Sequence, residues 1–110
     1  DLLKFLLNCK KKKLKVAAFG AAAKGNTLLN YAGIKQDLIE FVCDSAPSKQ
    51  NKFLPGTRIP IYHPDYLKKN QPDFLLILPW NIADEIKSQL SYLNKKKTKF
   101  LVAIPNLKIL

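Results

Sequence analysis

Glycine, lysine, amide and hydroxyl side chains gather in one short stretch, Gly20-Ala21-Ala22-Ala23-Lys24-Gly25-Asn26-Thr27. Those residue types suit a phosphate. Gly20 permits a tight exit from a preceding strand, and Gly25 lets backbone approach an anion with no Cβ in the way. A helix opening at Gly25 offers unpaired N–H groups and a partial positive charge. Lys24 adds a full charge, while Asn26 and Thr27 supply hydrogen-bond donors and candidate helix caps. The spacing matches neither G-x-G-x-x-G nor the Walker G-x-x-x-x-G-K-S/T motif, so phosphate binding rests on loop and fold together. The plainer alternative is that both glycines only permit a tight strand-to-helix turn.

Further candidates stand where strands are expected to end. Asp44 closes the second strand, about where a ribose-binding acid follows the glycine loop of dinucleotide folds (~20 residues); it is equally a common turn residue. Pro79, Trp80 and Asn81 follow the fourth strand directly, and the indole there stacks on a base or sugar or else caps an apolar surface. In the turn Leu54-Pro55-Gly56-Thr57-Arg58, Arg58 is a candidate phosphate contact or a solvated charge. His63 has no paired serine, cysteine or carboxylate, and its structural reading is the stronger one. Two cysteines, Cys9 and Cys43, and one histidine set neither a disulfide framework nor a metal site. No catalytic residue is therefore assigned, and no cofactor is expected to bind to this domain.

These residues need a scaffold, and the apolar pattern describes one. Apolar runs predict strands over Leu14–Phe19, Leu38–Cys43, Arg58–Tyr62, Asp73–Leu78 and Phe100–Ile104. Between them, 3.6-residue periodicity and turn signals place helices over Leu2–Leu7, Gly25–Tyr31 (stopped by Gly33), Asp65–Lys69 and Ile82–Leu93. Continuously apolar strands are buried on both faces, the mark of a parallel sheet covered by helices. Right-handed crossovers then predict a Rossmann-like, doubly wound α/β domain. Its five-stranded, mainly parallel sheet takes the order 3-2-1-4-5, with helices on both faces. Pro60 suggests that the third strand lies at a sheet edge. The glycine loop and Pro79-Trp80-Asn81 meet where the strand order reverses, the usual ligand crevice of such folds.

A chain of 110 residues has room for one such domain, here residues 1–110. It contains no methionine and opens on Asp1 within an apolar helical pattern, as a fragment cut from something longer would. The formal net charge of +11 raises nucleic acid as a partner. However, the lysines concentrate at Lys10–Lys13 with Lys15 and at Lys95–Lys97 with Lys99, each immediately before a strand. That places them at the amino edge of a parallel sheet, away from the ligand edge. Helix-turn-helix and RNA-stacking motifs are absent, so the clusters read as solvated surface or contact with an acidic neighbour. No apolar run reaches the ~20 residues of a membrane span. Reduced cysteines and the missing leader pattern fit the cytoplasm.

Several segments together resemble one family. They are Val16 to Asn30, Phe41-Val42-Cys43-Asp44, Lys49-Gln50, Leu54-Pro55-Gly56-Thr57-Arg58-Ile59-Pro60-Ile61 and Leu78-Pro79-Trp80-Asn81. Over nearly its whole length the chain is similar to the C-terminal domain of S-adenosylmethionine-dependent sugar C-methyltransferases. The resemblance implies a parent with a zinc-binding N-terminal region and a central S-adenosylmethionine-binding domain, which this domain would contact. It implies that this domain helps hold a dTDP-linked keto-sugar. In the family, a proton beside the sugar ketone is removed and the enolate carbon attacks the methyl group. By that resemblance Gly20, Lys24, Gly25, Asn26 and Thr27 face the substrate, joined by Pro79, Trp80 and Asn81. The rival readings are a non-catalytic module for NAD, coenzyme A or a nucleotide sugar, with Asp44 on a ribose, and a structural domain that binds nothing.

Overall fold

Short apolar runs, separated by stretches rich in lysine, glycine and proline, fold as alternating strands and helices in the computed structural model, which describes residues 1–94 and 97–110. The order is α1 (Leu2–Lys11), β1 (Val16–Phe19), α2 (Ala23–Tyr31), β2 (Val42–Cys43), β3 (Lys52–Phe53) and β4 (Pro60–Tyr62). Then follow α3 (Tyr66–Lys69), β5 (Phe74–Ile77), a 3-10 turn (Trp80–Ile82), α4 (Ala83–Gln89), α5 (Ser91–Asn94), β6 (Lys99–Val102) and β7 (Lys108–Ile109).

Among the described residues, seven strands form one sheet in the order β3-β4-β2-β1-β5-β6-β7. The inner five are parallel and correspond to the five strands expected from the sequence, in the expected order. The expected five-stranded sheet is nevertheless too small: β3 and β7 add antiparallel pairs at the two edges. Both are two residues long and exposed at both positions, so they carry neither the alternation nor the apolar run by which a strand is read. Consequently β4 is not an edge strand. Pro60 stands opposite Phe53, and pairing there extends over two residues, as expected where a ladder N–H is missing.

Two apolar layers sandwich the sheet. Val16, Ala18, Val42, Ile61, Leu76 and Leu101 face one way, with Leu2, Leu6 and Leu29 of α1 and α2. Ala17, Phe19, Cys43, Leu75, Ile77 and Phe100 face the other, with Leu67, Ile86 and Leu93 of α3, α4 and α5. Alternation along each strand thus feeds both layers, and each fully buried leucine or isoleucine contributes about 2 kcal/mol. Leu38 and Ile39 are buried, yet they belong to a turn closed by their amides on the Lys35 carbonyl, at 3.0 and 3.1 Å. The strand expected over Leu38–Cys43 is correspondingly short. The helix expected over Ile82–Leu93 divides into the 3-10 turn, α4 and α5.

At the amino edge, Asp73 ties β1 to β5 by accepting the Lys15 amide at 2.7 Å. Thr98 is buried there and donates to the Pro72 carbonyl at 2.6 Å. The lysines before β1 lie on this edge; Lys95 and Lys96 fall outside the described residues. No helix among the described residues is long and apolar enough to cross a membrane.

Candidate functional site

The parallel register brings the ends of β1, β2 and β5 together at one edge. Gly20 leaves β1 at φ +94°, and its amide donates to the Cys43 carbonyl at 2.8 Å. A Cβ on Gly20 would lie 2.9 Å from Pro79 Cγ and closer still to Cδ. The bare backbone is therefore required by the close approach of the segment that follows β5, as well as by the turn.

The next peptide is clamped from both sides. The Ala21 amide donates to Asp44 Oδ2 at 2.6 Å, and the Ala21 carbonyl accepts from Lys49 Nζ at 3.1 Å. The other carboxylate oxygen of Asp44 takes the Ala46 amide at 2.8 Å, and Gln50 Nε2 donates to the Asp44 carbonyl at 2.8 Å. Asp44, a candidate ribose acid by its position, thus acts here as the anchor of the glycine loop. Lys49 was not among the residues singled out as a candidate contact. Its link to Ala21 spans 28 residues, and nothing local signals it.

The helix begins earlier than expected, at Ala23 rather than Gly25. Ala22 occupies the cap position without a side-chain cap, and its carbonyl accepts the Asn26 amide at 3.0 Å. The expected caps lie inside the helix: Thr27 Oγ1 donates to the Ala23 carbonyl at 3.0 Å, and the Asn26 side chain meets Asn30 Nδ2 at 3.3 Å. Among the described residues, no acceptor takes the amides of Ala22, Ala23, Lys24 or Gly25. These are the orphan donors of a helix start, at its positive end. The donors available to an anion therefore exclude Gly20 and Ala21, whose amides are used internally.

Gly25 has a different role from the one expected of it. It is buried, and a Cβ there would lie 2.7 Å from Leu78 Cβ. Its missing side chain lets α2 close onto the end of β5, so the close approach is between helix and strand. The Lys24 side chain is exposed. With Trp80, Leu28 and Ile104 it lines a cleft of only about 10 Å3, too small for more than a water.

Trp80 is 39% exposed and also borders a groove of about 440 Å3, with Asn81, Asp84, Pro105 and Lys108. Pro79 is half-buried and Asn81 exposed. Arg58 stands apart from these residues: it has φ +61° and its guanidinium lies 6.0 Å from the Phe53 ring centre, at the β3 edge. His63 Nδ1 accepts the Asp65 amide at 3.0 Å, a local turn contact. The structure therefore brings Lys24, Gly25 and Trp80 to one cleft, while Gly20 packs against Pro79 and lines no part of it. Asp44 lies behind it, and Arg58 lines no part of it.

Both cysteines are reduced and buried. Burial, with a smaller contribution from the Asp44 charge, pushes the Cys43 thiol up to about 12; burial also raises Cys9. A raised thiol pKa leaves the neutral, unreactive form dominant at pH 8. The folded chain should therefore resist a thiol reagent such as dithionitrobenzoate at pH 8, with both cysteines titrating promptly in denaturant. Rapid labelling of either in the folded state would contradict this environment.

Among known proteins, the family model described as "C-methyltransferase C-terminal domain" matches residues 1–105. The C-methyltransferase NovU of Streptomyces niveus is 38% identical over 95 residues, covering 86% of this chain and 23% of the relative. The chain thus spans about a quarter of that protein's length. Among solved structures, UDP-D-quinovosamine 4-dehydrogenase from Vibrio fischeri superposes with a TM-score of 0.64 at 23% identity, covering 88% of this chain and 93% of that one. This likeness shows a shared Rossmann-like fold.

Proposed function

Because this chain belongs to the C-methyltransferase C-terminal domain family, we propose that it is the sugar-holding domain of a larger, cytoplasmic S-adenosylmethionine-dependent enzyme. In this reading residues 1–110 form one domain that positions a dTDP-linked keto-sugar, while the remainder of the parent supplies the methyl donor, the base and any zinc. S-adenosylmethionine supplies an electrophilic methyl group in that chemistry. This chain binds and orients the acceptor, which lowers the barrier by holding the reacting carbon in place.

One observation carries the reading: four amides that find no acceptor among the described residues and the Lys24 ammonium share the start of α2, beside the exposed Trp80. A diphosphate there receives N–H donors from Ala22 to Gly25 and a charge-assisted bond from Lys24. Lys49 has two further ammonium protons once one is given to Ala21. The small cleft keeps the phosphates on the rim, and the groove beyond Trp80 has room for the base or the sugar. Asn81 borders that groove, while Asn26 and Thr27 flank the phosphates from the next turn of α2. The rival NAD reading is weaker because both Asp44 oxygens already hold amides.

Lys24→Ala should weaken dTDP binding by roughly 1–3 kcal/mol, the value of a charge-assisted hydrogen bond. Calorimetric titration of the chain with dTDP, and the Michaelis constant for the sugar in the full-length parent, both read this. Unchanged affinity, or stabilisation by NADH and not by dTDP, would remove the proposal.

A further inference from the structure

The opposite edge of the sheet, where the parallel strands begin, carries a second groove with different chemistry. It measures about 350 Å3 and is lined by Lys13, Lys15, Lys69 and Lys97 together with Tyr66, within the range of small-molecule sites. An adjoining groove of about 230 Å3 shares Lys13 and Lys15. Two carboxylates, Glu40 and Asp73, also border the larger groove. Asp73 is already engaged, by the Lys15 amide at 2.7 Å and by Lys97 Nζ at 3.7 Å. Among the described residues Lys13, Lys15 and Lys69 form no ion pair.

Lys13 adds an independent indication. It follows α1 at φ 60°, and the Leu14 amide closes the helix end on the Cys9 carbonyl at 2.8 Å. This left-handed position after a helix is one that glycine normally fills, because a Cβ is disfavoured there. Lys10 and Lys11 already place positive charge in the last turn, so the helix dipole does not require another. A lysine thus stands where glycine is usual, and it lines both grooves.

We infer that this amino-edge groove binds a clustered oxyanion, the di- or triphosphate group of a small molecule. Several negative charges within a few ångströms match the ammonium groups of Lys13, Lys15 and Lys69, which form no ion pair among the described residues, whereas a monovalent ion would be displaced by salt. A second copy of this chain does not fit, since each carries a formal net charge of +11. The site stands apart from the α2 loop, so its success or failure is independent of the sugar-binding proposal.

Residue-resolved NMR of the chain titrated with inorganic tripolyphosphate tests it. Saturable shifts are expected at Lys13, Lys15, Asp73 and the Tyr66–Gln71 segment, persisting at physiological ionic strength. Lys13→Gly retains the backbone conformation and is expected to melt no lower than the parent chain. Combined with Lys69→Ala, it should weaken binding at least tenfold. Lys52→Ala with Lys108→Ala removes equal charge from the two edge strands and should leave binding within twofold. Non-saturating shifts spread over all surface lysines, shifts confined to Ala22–Gly25, or equal losses in the two double variants would each overturn the inference.

Discussion

Replacing Gly20 with alanine will destabilise the fold by roughly 2–4 kcal/mol, the sum of a left-handed backbone cost and an overpacking cost. Gly20 sits at φ +94°, and its Cβ would press into the Pro79 ring. Pro79 cannot retreat easily, because the neighbouring Leu78 amide is bound to the Phe19 carbonyl at 3.0 Å. For a domain of this size such a loss lowers the melting temperature by about 10–20 °C. Gly33→Ala is the matched comparison: Gly33 has φ +72°, but a Cβ there meets nothing within 4 Å. It should show the backbone cost alone, about 1 kcal/mol. Thermal melts of the two variants separate the effects. Equal melting temperatures would mean that the Pro79 contact relaxes and that the loop is not held against the β5 exit.

Asp44→Asn should cost about 1–3 kcal/mol even though the shape is kept. The carboxylate accepts two amides, Ala21 at 2.6 Å and Ala46 at 2.8 Å. A carboxamide offers one oxygen and one NH2, so one backbone N–H must face another donor. The charge that strengthens both bonds is lost as well. Denaturant unfolding reads the stability, and hydrogen exchange at the Ala21 amide reads the clamp. Exchange at Ala21 should accelerate more than exchange in β5. A variant with unchanged stability and unchanged Ala21 protection would show that Lys49 and Gln50 hold the loop without the carboxylate. The dTDP affinity should fall along with the clamp, because a loosened loop no longer presents the α2 start in one position.

Both variants probe the same design. Residues far apart in the chain hold a short loop rigid, and the rigid loop presents bare amides. The candidate site therefore extends beyond Gly20-to-Thr27 to include the Asp44–Gln50 segment, whose hydrogen bonds to Ala21 fix the loop that leads into α2.

By itself the amino-acid sequence determined the parallel α/β core, the order of its inner five strands and the edge at which the glycine loop and Trp80 come together. Continuous apolar strands such as Phe74–Ile77 admit burial on both faces only, and periodicity with right-handed crossovers leaves few alternatives. Tertiary structure alone decided that Gly25 serves the contact with Leu78, that Asp44 anchors Ala21, that Lys49 reaches the loop, and that β3 and β7 extend the sheet. The first three of those outcomes depend on partners more than 20 residues away in the chain. Local propensity carries no information about a distance set by packing, and a two-residue exposed strand exists only because a neighbour offers it hydrogen bonds.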